Sequence, residues 1–180
     1  MTSHGHKYHI SQNQMSEYKI CVITVSTSRY EQFGNNTNNP LAEDASGTLI
    51  VESLKDKGYT NIAYSLISDD IDMIRESVNR HCTDSDMIII TGGTGITPQD
   101  VTIEAVSPLF IKNMPGFGEL FRMKSVVDIG SAVMLSRATA GIVAHNCIVF
   151  CLPGSTNAVK TGMGIILPEI GHLVKHAQGI

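Results

Sequence analysis

Met87-Ile88-Ile89-Ile90-Thr91-Gly92-Gly93-Thr94-Gly95-Ile96-Thr97-Pro98-Gln99-Asp100-Val101-Thr102 is the stretch around which the rest of the chain is arranged. A short run of large aliphatic residues ending in glycines reads as a strand buried on both faces, as in a parallel sheet. Three glycines in four positions free the backbone from the limits a Cβ imposes, so N–H groups can turn toward one point. Concave rows of N–H groups of this kind bind anions, phosphate above all. Thr94 and Thr97 add hydroxyls. Asp100 is out of place beside a phosphate unless a cation lies between them. The plainer reading is a tight turn with Asp100 in a capping box with Thr97. No Gly-Lys-Ser/Thr follows, so this is not a Walker A loop, and the spacing of a dinucleotide fingerprint is absent.

Working outward, the 180 residues suffice for one domain with a substantial core. Hydrophobic residues make up 42 % and charged residues 17 %, a globular balance. A net charge of −4 gives no basic surface for nucleic acid or membrane. No apolar run has the length of a membrane span, and the polar N-terminus lacks a signal-peptide core. Cys21, Cys82, Cys147 and Cys151 form no C-x-x-C pair. Three of them sit in strand-like runs, where a free cysteine packs as a small core residue. Together these features predict a cytoplasmic protein.

Residues 1–16 read as a flexible tail and 17–180 as the domain. Residues 18–26 form a β-branched first strand ending in Ser26-Thr27-Ser28-Arg29, and the Asn-rich loop through Pro40 is expected to hold no regular structure. Asp44-Ala45-Ser46-Gly47 opens a helix that Gly58 ends, with Asp44 and Ser46 as capping residues. A second strand over 62–68 leads to Asp69-Asp70, either of which can cap the helix that follows. Beyond the glycine turn, Thr102 can cap a short helix toward Leu109, a turn occupies 113–116, and a helical stripe runs from Phe117 to Val127. Further strands are expected at 138–143 and 147–152. The last ends in Pro153-Gly154-Ser155-Thr156, with Ser155 or Thr156 capping a helix that Pro168 divides. Strands alternating with helices argue one three-layer α/β/α domain with a mostly parallel sheet. Its polar strand ends, from Ser26, Asp69, Thr91 and Pro153, would meet on one rim, where ligands bind in open α/β sheets. The residues alone stop at a phosphate-binding α/β protein.

Several spaced motifs go further. Thr91-Gly92-Gly93-Thr94-Gly95 with Asp100-Val101-Thr102, then Pro115-Gly116-Phe117-Gly118-Glu119, Ser136-Arg137-Ala138 and Leu152-Pro153-Gly154-Ser155-Thr156 stand in this order. The set resembles the MoaB/MogA family, which includes the G domain of gephyrin, over roughly residues 18–178. The run 130–141 and the Pro-Gly-Ser-Thr loop are closer to the MoaB branch. The resemblance implies the MogA-like molybdopterin-binding fold, adenylylation of molybdopterin by ATP with Mg²⁺, and a homo-oligomer, trimer or hexamer. It implies catalytic and metal-holding roles for Asp69 and Asp100, although Ser68 replaces the proline usual before the first of these. Thr91, Gly92, Gly93, Thr94 and Gly95 would bind the nucleotide phosphates. Ser26, Ser136, Arg137, Pro153, Gly154 and Ser155 would meet the pterin. Two other classes stay open. One is a non-catalytic molybdopterin-binding or scaffold protein of the same fold. The other is a nucleotide-dependent oxidoreductase, disfavoured by the missing ribose-binding acid.

Overall fold

The computed structural model describes residues 17–34 and 43–180. The expected tail over 1–16 and most of the Asn-rich loop lie outside the described residues. In chain order the elements are β1 (Lys19–Val25), α1 (Thr27–Phe33), α2 (Ala45–Asp56), β2 (Asn61–Ile67), α3 (Ile71–His81), β3 (Met87–Thr91) and α4 (Thr102–Val106). Then follow β4 (Lys112–Asn113), α5 (Pro115–Ile129), β5 (Thr139–Ile142), β6 (Ile148–Leu152), α6 (Thr156–Ile166) and α7 (Ile170–Gln178). Short 3₁₀ turns span Gly130–Leu135 and Leu167–Glu169, the second carrying Pro168 between α6 and α7.

The strands form one six-stranded sheet in the order β2-β1-β3-β6-β5-β4. The four strands from β2 to β6 run parallel, and β5 is antiparallel to both of its neighbours. Side chains alternate across this sheet as the two-residue period requires. Ile20, Val22, Met87, Ile89, Ile148 and Phe150 face one way, against α2, α5, α6 and α7. Cys21, Ile23, Ile88, Ile90, Val149 and Cys151 face the other, against α3 and α4. Because both faces are covered, β3 and β6 carry no polar alternation, and that is why their runs were legible as strands. The cysteines are free and buried. Burial pushes the thiols of Cys21 and Cys151 up to about 12, so they stay protonated packing groups.

Three local expectations need correction. Residues 27–33 form the helix α1, although Ser26 at its N-cap position makes no side-chain cap. The missing cap comes from Asp69, whose Oδ2 accepts from the Thr27 N–H at 2.9 Å and from the Thr27 hydroxyl at 3.0 Å. Thr102 does not cap α4, because its hydroxyl donates to the Gly92 carbonyl at 2.9 Å. The turn expected at 113–116 overlaps the edge strand β4 at Asn113, and α5 begins at Pro115. By contrast, Asp44, Asp70 and Ser155 cap α2, α3 and α6 as expected.

Gly164 lies within α6 with nothing within 4 Å of an added Cβ. Gly164→Ala is expected to stabilise the chain by about 0.5–1 kcal/mol, through reduced freedom of the unfolded state. Thermal melting checks this, with a rise of about 1–4 °C predicted for a chain of this size.

Candidate active site

β3 and β6 end side by side, so their loops meet. Gly92 donates to the Leu152 carbonyl at 3.0 Å. The Thr91 hydroxyl donates to the Pro153 carbonyl at 3.2 Å. Between these loops, α5 and α6 lies a cavity of about 450 Å³. Its walls include Gly92, Gly93, Thr94, Gly95 and Asp100 on one side and Pro153, Gly154 and Ser155 on another. Phe121, Ile129, Ala132 and Leu135 make its floor and far wall largely apolar. A mostly apolar cavity with a few convergent polar groups, in this size range, suits a small organic ligand.

The glycine loop is held from behind. Gly92 sits at φ +101° and Gly93 at φ +61°, conformations that favour glycine. A Cβ on Gly93 would come within 2.4 Å of Thr102 Oγ1 and 2.7 Å of Asp69 Oδ1. The Gly92 N–H is committed to the fold, and the Gly95 backbone is packed against the Asp100 carboxylate. That leaves Gly93 and Thr94 as the loop's backbone donors, fewer than the glycine count suggests.

Asp100 closes a turn rather than starting a helix. Its Oδ2 accepts from the Thr97 N–H at 3.0 Å and the Thr97 hydroxyl at 2.6 Å, and its own N–H donates to the Thr97 carbonyl. The helix begins two residues later, so the capping-box geometry is present without the helix. Burial works against ionisation of Asp100, but the bonds from Thr97 and Gly95 and the charge of Arg137 outweigh it and hold the carboxyl below its usual range. Asp69 does not line the cavity. It borders the same loop through Gly93 and is also spent on Thr27. Asp70, its neighbour, is fully accounted for as the cap of α3.

The remaining expected residues divide. Ser136 lines the cavity, and its buried hydroxyl has no partner among the described residues. Ser26 lies outside the cavity walls, where its hydroxyl is 3.4 Å from that of Ser28. Arg137 lies outside the cavity walls, in a second depression lined by Ile96, Thr97, Pro98, Asp100 and Glu104. It pairs with Glu104 and bonds the Thr94 carbonyl at 3.2 Å. The Arg137 bond first, and its charge with it, hold the Glu104 carboxyl below its usual range.

Folded values of Asp100 and Glu104 are depressed, so their contribution to stability is present above the ordinary carboxylate range of about 4 and lost as pH falls through the lowered values. The melting gap between wild type and Glu104→Gln should therefore be present at pH 7 and close below about pH 4. A gap that stays constant would show that the pair contributes nothing through charge.

Sequence reading missed Asp44 and Ser46 as more than caps. Asp44 is buried and accepts from the Thr24 and Tyr64 hydroxyls at 2.6 Å each, besides its cap bond from Gly47. Burial, then the Asp44 bond, raise the Tyr64 hydroxyl and keep it a donor. Ser46 donates to the Gly154 carbonyl at 2.7 Å, across 108 residues of chain. With Thr91 on Pro153, two successive carbonyls of that loop are drawn away in fixed directions. Planar trans peptides then send the N–H groups of Gly154 and Ser155 the opposite way. Asn157 and Thr161, four apart on α6, and Asp128 on α5 also line the cavity. The i, i+4 spacing of Asn157 and Thr161 was the available signal.

A family model described as "Probable molybdopterin binding domain" matches residues 21–172. The chain belongs to this molybdopterin-binding-domain family, in its MoaB/MogA branch. "Molybdenum cofactor biosynthesis protein B" of Bacillus subtilis is 45 % identical over 161 residues, covering 87 % of this chain and 88 % of the relative. "Molybdopterin adenylyltransferase" of Pyrococcus furiosus is 46 % identical over 140 residues, covering 76 % and 82 %. The crystal structure of "tungsten cofactor synthesizing protein MoaB" from the same organism superposes with a TM-score of 0.77 at 42 % identity, covering 89 % of this chain and 96 % of that one. The three-layer fold with its mostly parallel sheet is thus the fold of this family. Among the described residues no helix is long and apolar enough to cross a membrane.

Proposed function

We propose that this MoaB/MogA-family chain is a nucleotidyltransferase of molybdenum-cofactor biosynthesis that adenylylates molybdopterin with ATP. The observation that carries this reading is the meeting of the glycine loop and the Asp100 carboxylate in the wall of one largely apolar cavity. The name of the Pyrococcus relative points the same way. In the reaction, the terminal phosphate oxygen of molybdopterin attacks the α-phosphorus of ATP. The bond from that phosphorus to the bridging β-oxygen breaks, and pyrophosphate leaves. The nucleophile needs no strong base, because a phosphate monoester with a second pKa of about 6 is mostly a dianion at neutral pH. The demand is to align and neutralise two anions.

The donor set suits Mg²⁺, which takes one or two carboxylates plus phosphate oxygens. Asp100 and Asp69 both bear on the glycine loop, at Gly95 and Gly93, and would hold the ion together with substrate oxygens. Among the described residues no cluster of three or more acidic, His or Cys side chains exists, so a fully protein-made cage is not the arrangement proposed. When bound, the ion would supply positive charge between the two phosphates. The Gly93 and Thr94 N–H groups meet the nucleotide phosphates, with Thr91, Gly92 and Gly95 shaping the loop. Ser136, Pro153, Gly154 and Ser155 receive the pterin end. Pyrophosphate release that depends on both ATP and molybdopterin tests the reading. Uptake of molybdopterin with no pyrophosphate would make the chain a binding or scaffold protein.

The chain is further proposed to act in the cytoplasm as a trimer or a dimer of trimers. Support comes from an apolar face on α5 and the turn after it, where Met123, Val127 and Met134 are 71 %, 82 % and 78 % exposed. Light scattering should give a multiple of three times 19.5 kDa. Val127→Asp should lower that mass, and a wild-type monomer or simple dimer at micromolar concentration would sink the assembly.

A further inference from the structure

We propose that Arg137 is a positioning residue, which acts behind the glycine loop by tying the Thr94 and Asp100 carbonyls to Glu104 and does not touch the pterin. The guanidinium is spent on the protein. Its Nε–H donates to the Thr94 carbonyl at 3.2 Å and Nη2 to the Asp100 carbonyl at 3.1 Å. Nη1 and Nη2 take the two Glu104 oxygens as a fork, the second at 3.2 Å. Arg137 is absent from the walls of the 450 Å³ cavity and lines a second depression, which shares Asp100 with it.

Thr94 and Asp100 are the two feet of the excursion through 95–99. Bonding both carbonyls to one rigid planar group fixes the distance between those feet. Drawing the Thr94 carbonyl toward Arg137 also turns the Gly95 N–H away from it, because the peptide is planar and trans. The Gly95 main chain lies against the Asp100 carboxylate, so close that an added Cβ would come within 2.6 Å of Oδ2. The clamp thus sets the main chain of Asp100 and the Gly95 backbone against which its side chain lies. Glu104, in the first turn of α4, anchors the clamp to an element packed on the sheet. Lysine keeps the charge but cannot span two carbonyls and a carboxylate from one tetrahedral nitrogen.

The proposal rests on the adenylyl-transfer reading only for its turnover readout. Arg137→Lys and Glu104→Gln are compared with wild type in three measurements: hydrogen exchange of the unliganded protein, molybdopterin affinity by pterin fluorescence, and pyrophosphate release. Expected in Arg137→Lys are exchange at least about tenfold faster over 94–101, unchanged exchange in β3 and β6, molybdopterin Kd within twofold, and turnover down about ten- to a hundredfold. Glu104→Gln should show the same pattern more weakly. A Kd for molybdopterin raised tenfold or more in Arg137→Lys overturns the proposal and makes Arg137 a pterin ligand. Unchanged exchange over 94–101 overturns it as well, leaving a surface ion pair. Faster exchange with unaltered turnover reduces Arg137 to a stabiliser of the loop. A wild type without turnover refutes the adenylyl-transfer reading, and exchange and affinity still decide the place of Arg137.

Discussion

Asp100→Asn is expected to lower turnover by about a hundred- to a thousandfold and to leave molybdopterin uptake nearly intact. Asparagine keeps the size of the side chain and an oxygen that accepts from the Thr97 N–H and hydroxyl, so the turn survives. What is lost is one negative charge in the cavity wall, beside Gly95 in the glycine loop. Metal stabilisation of a phosphoryl-type transition state contributes several kcal/mol, and about 1.4 kcal/mol is a tenfold change in rate. On the proposed reading the pterin end is met by other residues of the cavity wall, Ser136 and the Pro153-Gly154-Ser155 loop. A purely structural Asp100 predicts the reverse, with stability down by about 1 kcal/mol from weakened turn hydrogen bonds and turnover unchanged. Melting and pyrophosphate release on the same variant separate the two, and an early-melting variant that turns over normally would remove Asp100 from the chemistry.

Gly92→Ala is expected to have the largest effect on stability. At φ +101° the added Cβ would lie 2.2 Å from the Val25 carbonyl oxygen. That oxygen belongs to β1, which is paired on both sides, by β2 and β3, and cannot step aside. The left-handed strain costs about 1–3 kcal/mol and the overpacking about 1–3 kcal/mol. A loss of about 3 kcal/mol would lower the melting temperature by roughly 6–12 °C in a chain of this size. Gly116→Ala, with nothing within 4 Å of its added Cβ, is the control and should melt near wild type. Equal melting of the Gly92 and Gly116 variants would refute the packed glycine loop described above.

The parallel core was legible because β1, β3 and β6 are buried on both faces, which leaves unbroken aliphatic runs in the sequence. The rim was legible for the same reason, since a parallel sheet brings the ends of β3 and β6 together and with them the glycine and Pro-Gly-Ser loops. What the sequence hides are hydrogen bonds between residues far apart along the chain. The helix α1 is capped by Asp69, forty-two residues away. Thr102 reads as a cap, but its hydroxyl is taken by Gly92. Ser46 reads as a helix-start residue, yet it fixes the Gly154 carbonyl. Ser-Arg before a strand predicts a ligand-facing arginine only if its partners are unknown, and Glu104 lies thirty-three residues earlier. Local pattern specifies which residues gather at the rim. It does not specify which of them face the cavity, because that choice is made by partners from other elements.

On the proposed reading, an adenylyl group passes from ATP to molybdopterin in the cavity between the Thr91–Asp100 and Pro153–Ser155 loops. The most direct test incubates the protein with molybdopterin, Mg²⁺ and ATP labelled at either the α- or the γ-phosphorus, and follows the label by mass. The predicted result is α-label in the pterin product and γ-label in pyrophosphate, in equal amounts, with both formed about a hundred- to a thousandfold more slowly in Asp100→Asn. Gamma-label on the pterin, or bound molybdopterin with neither label transferred, would contradict it.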